Sequence, residues 1–299
     1  MKYVDLNTNN FTRKIVMTIK TNTLKSIAVA VALSCGVVSL AATAHSTHAH
    51  ENTVSVKALE NAISGEHRTT KAKARDQYRH PVETLSFFGF TPNMTVVEIT
   101  PGGGWYTEIL APALKGTGKL YGAHYPDTGA DDYYSNSRKK LEKKLASNPV
   151  YSDVVLTDFT PLQGSKLAPQ GSADLVLTFR NLHNWKDAGV EQVFKDAFKA
   201  LKPGGVLGVV EHRLPAGVSV EKAKGYVSEV KTIKQAKAAG FRFSASSEIN
   251  ANSKDLAIYP KGVWTLPPSL GLGDTDKAKY LAIGESDRMT LKFVKPATK

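Results

Sequence analysis

Cysteine is nearly missing from this chain. Its 299 residues hold one, Cys35, and that one lies in an apolar N-terminal run. Downstream of the run there is no thiol, which excludes a disulfide, a thiol nucleophile and a thiolate zinc site from the body of the protein. A P-loop, an HExxH helix and a Ser-His-Asp arrangement are also missing, so the common phosphate-loop and hydrolase chemistries have no carrier. No compact basic patch with interleaved aromatics occurs, and nucleic acid is not an expected partner. Acids are outnumbered: 27 Asp/Glu against 39 Lys/Arg give a net charge of +12. The lysines are scattered, several on helix faces such as Lys139, Lys140, Lys143 and Lys144. They read as solvated surface or as a source of weak attraction to an anionic membrane surface.

What is present begins with address. Residues 26–44 are apolar and uncharged, follow Lys20 and Lys25, and end in the small-x-small triplet Ala42-Thr43-Ala44. The expectation is a signal peptide over 1–44, cleaved before His45, that exports the protein to the periplasm; a buried helix or an uncleaved anchor is the other reading. Either Met1 or Met17 serves as the start. Loss of 1–44 removes five Lys/Arg and one acid and leaves a net charge of +8. Residues 45–90 then form a tail and a helical extension. His45, His48 and His50 lack further ligands, so no metal is expected. Helical spacing runs over Val54–Ile63, and a second helix starts at Pro81. The basic stretch Arg68 to Arg79 between them is either a solvated connector or a flap over a ligand.

The richest segment is Thr95-Val96-Val97-Glu98-Ile99-Thr100-Pro101-Gly102-Gly103-Gly104-Trp105-Tyr106. An apolar β-branched run ends beside an acid, a glycine-rich bend follows, and helical spacing resumes at Tyr106, Ile109, Leu110 and Ala113. That is the strand–turn–helix of a nucleotide-type sheet, with backbone bare enough for a ligand to lie against it. Beyond it, strands are predicted at 96–99, 120–123, 154–156, 175–179, 206–210, 241–244 and 291–294. Helices are predicted at 106–114, 135–145, 190–201 and 226–239. The fold class is therefore α/β: a Rossmann-like three-layer sandwich over 91–299, with a seven-stranded, mostly parallel sheet and one antiparallel edge strand. The last two strands lack a convincing helix between them and suit an antiparallel hairpin at one edge. The Pro- and Gly-rich Ala251–Asp287 stretch is too long for an idle loop.

Taken in order, these segments resemble the class I S-adenosylmethionine-dependent methyltransferases. The likeness covers about residues 81–299. It rests on the 91–104 segment, on Thr157-Asp158-Phe159, on Ala173-Asp174-Leu175-Val176-Leu177, on Leu201-Lys202-Pro203-Gly204-Gly205-Val206-Leu207 and on Ala239-Gly240-Phe241. Phe179-Arg180-Asn181-Leu182-His183-Asn184-Trp185, Arg79-His80-Pro81 and Ser286 to Phe293 are similar to a bacterial group of predicted exported methyltransferases. The resemblance implies S-adenosylmethionine as cofactor, methyl transfer to an unidentified acceptor, Glu98 facing the cofactor's ammonium end, Gly102, Gly103 and Gly104 as its cradle, and Asp158 at the adenine amino group. Two positions depart from the pattern. Thr100 stands where the first glycine is usual, and His124 stands where an acid usually accepts both ribose hydroxyls, which a neutral imidazole cannot do.

After the fourth strand, Arg180, Asn181, His183, Asn184 and Trp185 crowd polar and aromatic groups at the ligand rim. His183 is the candidate general base, with Asn181 and Arg180 binding the acceptor's polar atoms; Glu211 and His212, ending the fifth strand, are second candidates. Trp105 and Tyr106 either stack on a ligand or pack the first helix. Two other functions use the same features: a non-catalytic binding protein on this fold, and a nicotinamide-dependent oxidoreductase, though Thr107 replaces the third glycine that the latter needs.

Overall fold

The computed structural model describes residues 53–297. The chain separates into two units, Met1–Ala44 and His45–Lys299. The expected signal segment, its cleavage site and the three-histidine tail lie outside the described residues.

Seven strands form one sheet: β1 (Thr95–Ile99), β2 (Lys119–His124), β3 (Val154–Asp158), β4 (Ala173–Phe179), β5 (Leu201–His212), β6 (Arg242–Ser247) and β7 (Arg288–Val294), in the order β3-β2-β1-β4-β5-β7-β6. The first five are parallel, and β7 runs against both β5 and β6. All seven match predicted strands, with their ends moved by a few residues. The antiparallel pair expected at one edge is β6–β7, with β7 one place in and β6 outermost.

Side-chain alternation splits the core into two layers. Val97, Ile99, Val176, Leu207 and Val209 pack with Val193, Phe194 and Ala197 of α7 (Asp187–Ala200). Val96, Leu175, Leu177 and Val210 pack on the other face with Ile109 and Leu110 of α5 (Thr107–Leu114) and with Leu85 and Phe88 of α4 (Pro81–Phe88). Each fully buried Val, Leu, Ile or Phe among them contributes about 1.5–3 kcal/mol of transfer free energy. Pro81 occupies the first turn of α4, where its missing N–H costs nothing. Helix α6 (Tyr133–Ala146) is capped by Asp132, which accepts from the Tyr134 and Ser135 N–H groups.

The flanking segments are more ordered than their composition suggests. After a first helix, α1 (53–64), the Arg68–Arg79 stretch holds two short helices, α2 (Thr70–Lys73) and α3 (Asp76–Arg79). It is not a solvated connector. Arg68 and Arg79 are buried, and Arg68 donates to both Asp76 carboxylate oxygens at 2.7 and 2.8 Å. The Ala251–Asp287 stretch holds a 3₁₀ turn at Gly262–Thr265 and a helix, α9 (Lys277–Ile283). Helix α8 (Glu229–Ala238) precedes β6. The two flanking segments meet over the carboxyl ends of β1, β4 and β5.

Candidate active site

A cavity of about 520 Å³ opens at that rim. Gly102 and Gly103 form part of its wall, and a Cβ added to either meets nothing within 4 Å. The bare backbone is therefore a cradle, as the glycine run predicts. Gly104 differs: its Cβ would stand 3.0 Å from Leu141 Cδ1, so it serves close packing against α6. Thr100 also lines the cavity, at φ +51°, a left-handed conformation that a β-branched residue rarely adopts. It takes the shape of the glycine it replaces, at a cost of about 1–3 kcal/mol. Its hydroxyl is buried without a hydrogen-bond partner.

Glu98 is buried beneath this cradle and does not line the cavity. Thr107 Oγ1 donates to its Oε2 at 2.6 Å. Burial pushes its carboxyl up to about 7, against the lowering effects of the Thr107 bond, Arg180 and Lys144. Tyr106 is a core residue, its ring stacked on Phe179 at 3.5 Å. Trp105 lines the cavity, donates from Nε1 to the Ala72 carbonyl at 3.0 Å, and carries the Arg79 guanidinium over its ring at 4.4 Å.

The β4–β5 side brings together most of the predicted catalytic group. His183, in a 3₁₀ turn after β4, bonds through Nδ1 to Glu211 Oε1 at 3.0 Å. Glu211 is fully buried at the end of β5, and its oxygens also accept from the backbone N–H of Leu182 at 2.6 Å, His183 at 3.4 Å and His212 at 2.7 Å. A carboxylate so placed accepts a hydrogen bond from Nδ1–H, which fixes the tautomer whose free nitrogen is Nε2. His212 lies 5.1 Å from His183, ring to ring, and bonds to Ser286 Oγ at 2.5 Å. Burial, then His183 and Arg180, hold it well below the usual histidine range, so it is neutral at pH 7. The donor atoms of His183, Glu211 and His212 lie within 4.8 Å of one another, which is metal-binding reach, although the Glu211 oxygens are already engaged. Asn181 braces the rim: its amide nitrogen donates to Ile99 O at 3.1 Å and sits 3.3 Å from Thr178 Oγ1. Arg180, at φ +59°, lines the cavity; one of its guanidinium nitrogens, Nη1, is buried and unpartnered.

The β2–β3 side pairs His124 with Asp158 in register but puts neither on the cavity. His124 is buried, its Nε2 3.2 Å from Ser137 Oγ on α6 and its Nδ1 3.1 Å from the Tyr125 carbonyl. Asp158 is exposed and pairs with Arg138 at 3.2 Å. Neither lines the cavity. Between them Tyr125 packs on Tyr134 and Phe159 and accepts a 3.0 Å bond from Trp185 Nε1. Trp185, expected among the rim's polar group, thus belongs to this aromatic plug.

Sequence reasoning missed Glu285, Arg288, Arg79 and Trp264. Glu285 receives Arg75 at 2.6 Å, Arg79 at 3.3 Å and Arg288 at 3.2 Å. Burial would raise its carboxyl, but Arg79, Arg288 and Arg75 outweigh that and hold it at about 2. Some 206 residues separate Arg79 from Glu285, so only the acid beside the quoted Ser286–Phe293 segment hinted at it.

Residues 97–209 match the family described as a methyltransferase domain. The domain so matched runs from β1 into β5, the stretch that carries the glycine cradle and the β4 turn. In fold, the chain is similar to a SAM-dependent methyltransferase from Aquifex aeolicus, with a TM-score of 0.51, 15% identity, and coverage of 74% of this chain and 93% of that one. It is also similar to the cyclase SpnF, with a TM-score of 0.55, 13% identity, and coverage of 79% and 86%. At such identities the likeness speaks for the fold. No curated protein gives a significant sequence match. The methyltransferase-domain match and the open glycine cradle support a methyltransferase with S-adenosylmethionine as its cofactor. The cradle fits that group; the expected ribose and adenine contacts at His124 and Asp158 do not lie on the cavity.

Proposed function

We propose that the chain methylates a proton-bearing acceptor, with His183 as the general base and Glu211 as its orienting acid. The observation that carries this is the 3.0 Å bond from His183 to a buried carboxylate, on a ring that lines the same cavity as Gly102 and Gly103. When bound, S-adenosylmethionine supplies an already activated methyl group. The chain's own work is then to align the acceptor, exclude water and take its proton. Glu211 fixes the His183 tautomer. Asn181 holds the β4 turn against the β1 loop and so positions His183. Arg180 meets the acceptor. Glu98 tunes the cradle from below, where a carboxyl near neutrality can respond to a cationic ligand.

The purified protein should bind S-adenosylmethionine and S-adenosylhomocysteine at micromolar concentrations in calorimetry. Binding of neither by a folded protein would leave the non-catalytic reading in place. The nicotinamide reading has least support, because position 107 is a threonine already bonded to Glu98. Export, and membership of the bacterial exported group, belong to the same proposal. The apolar run 26–44, the preceding Lys20 and Lys25 and the triplet Ala42-Thr43-Ala44 support it. Mass spectrometry of a periplasmic fraction should find His45 as the new N-terminus; a cytoplasmic, uncleaved chain rules export out.

A further inference from the structure

Three guanidinium groups hold one carboxylate at the cavity wall, and a fourth lies within their electrostatic reach. Arg75, Arg79 and Arg288 all reach Glu285, and Arg180 faces the same cluster. Arg79 is 2% exposed, lines the cavity, and has a nitrogen, Nη1, without a partner; Nη1 of Arg180 is in the same state. Crowded cations taken out of water are unfavourable unless anions offset them. Burial and their mutual repulsion lower both: Arg79 is held well below the usual arginine range and Arg180 at about 10. Glu285 cannot neutralise four charges, and Glu98, the next acid near Arg180, is itself pushed toward its neutral form. The fold thus holds a standing deficit of negative charge beside the cavity.

We propose that Arg79 and Arg180 bind an oxyanion, a carboxylate or phosphate, carried by the methyl acceptor. This rests on the methyl-transfer reading above. A guanidinium presents paired N–H groups in one plane, which suits the two oxygens of such a group. The placement favours the acceptor over the cofactor. Arg75, Arg79, Glu285 and Arg288 lie outside residues 97–209, the stretch shared with other methyltransferase domains, whereas Gly102, Gly103 and, of the two arginines, Arg180 lie within it. Chain-specific walls suit the chain-specific ligand.

The test titrates the full protein with inorganic phosphate and with benzoate, before and after saturation with S-adenosylhomocysteine. Trp fluorescence is the readout, since Trp105 lies under the Arg79 guanidinium. At least one anion should bind saturably to the protein already loaded with S-adenosylhomocysteine. Arg79→Gln and Arg180→Gln should each weaken that anion at least tenfold while changing S-adenosylhomocysteine affinity less than threefold. Mutual exclusion of anion and S-adenosylhomocysteine, with both weakened by the same substitutions, overturns the proposal: the guanidiniums would then hold the cofactor's own carboxylate. No anion binding to the loaded protein at millimolar concentrations also overturns it. Anion binding with the same arginine dependence, but no S-adenosylhomocysteine binding, keeps the oxyanion site and sinks the methyl-transfer reading instead. Should the glutamine variants not fold, the competition arm on the unmodified protein decides alone.

Discussion

The two sides of one sheet rim make an instructive pair. Both are built from apolar parallel strands that end in polar residues. On the β4–β5 side those ends are turned onto a cavity: His183 and His212 line it, and buried Glu211 orients His183. On the β2–β3 side the equivalent ends are shut away: His124 is tied to α6 through Ser137, Asp158 points to solvent with Arg138, and Tyr125 fills the space between with Trp185. Position at a strand's carboxyl end nominates a residue for ligand contact. Whether the neighbouring helix caps that end decides the outcome.

The sharpest way to break this contrast is His183→Gln. It should lower turnover by about 10²- to 10⁴-fold, the usual reach of a general base, with S-adenosylhomocysteine affinity nearly unchanged. Stopped turnover with lost affinity would make His183 a binding group instead. A chelator should leave the rate intact; loss of activity restored by a divalent metal would turn His183, Glu211 and His212 into ligands.

A second contrast lies within the glycine run. Gly102→Val should fill the open cradle, strain a left-handed position and weaken cofactor binding by roughly tenfold or more. Gly104→Ala meets Leu141 at a positive φ, and should lower stability by about 1–3 kcal/mol. Equal effects of the two on affinity would remove the distinction between cradle and packing.

Glu98 supplies a pH signature. Its folded-state pKa near 7 stands above the ordinary 4.5. The folded protein therefore holds that proton more tightly than the unfolded chain, and the associated stability is complete below about 4.5 and lost as pH rises through about 7. The span is roughly 3 kcal/mol at most, from about 1.4 kcal/mol per pKa unit. Denaturant titrations of Glu98→Gln between pH 5 and 8 should show a flatter profile than the parent, and an unchanged slope would count against the burial argument. The smallest effect belongs to the closed side. Asp158→Ala should alter cofactor affinity less than about twofold, as expected of an exposed residue with only a surface ion pair; a tenfold loss would reopen that side of the rim.

The fold was nearly all legible because its signals are local. Strand periodicity, Pro81 and the glycine run act over a few residues. The site was legible where chain order and space agree, as at Arg180 to His183. It was not legible where the deciding contact is long-range. Nothing local tells that Ser137 will cap His124, or that Glu285 will gather arginines from more than 200 residues away. The short helices α2 and α9 escaped for a related reason: α2 buries none of its residues and α9 only Tyr280, so neither carries a wide apolar stripe.

Strand β7 begins where its antiparallel neighbour β5 finishes, with Arg288 paired opposite His212. Its reversed direction delivers the residues just before it, Glu285 and Ser286, to the mouth of the cleft. One chain reversal thus makes the C-terminal strand both a sheet member and a wall for whatever enters. Fraying that enters β7 from Val294, its end opposite Val206, would reach Glu285 and Ser286 last, so the cleft wall is insulated from the loose end of the strand.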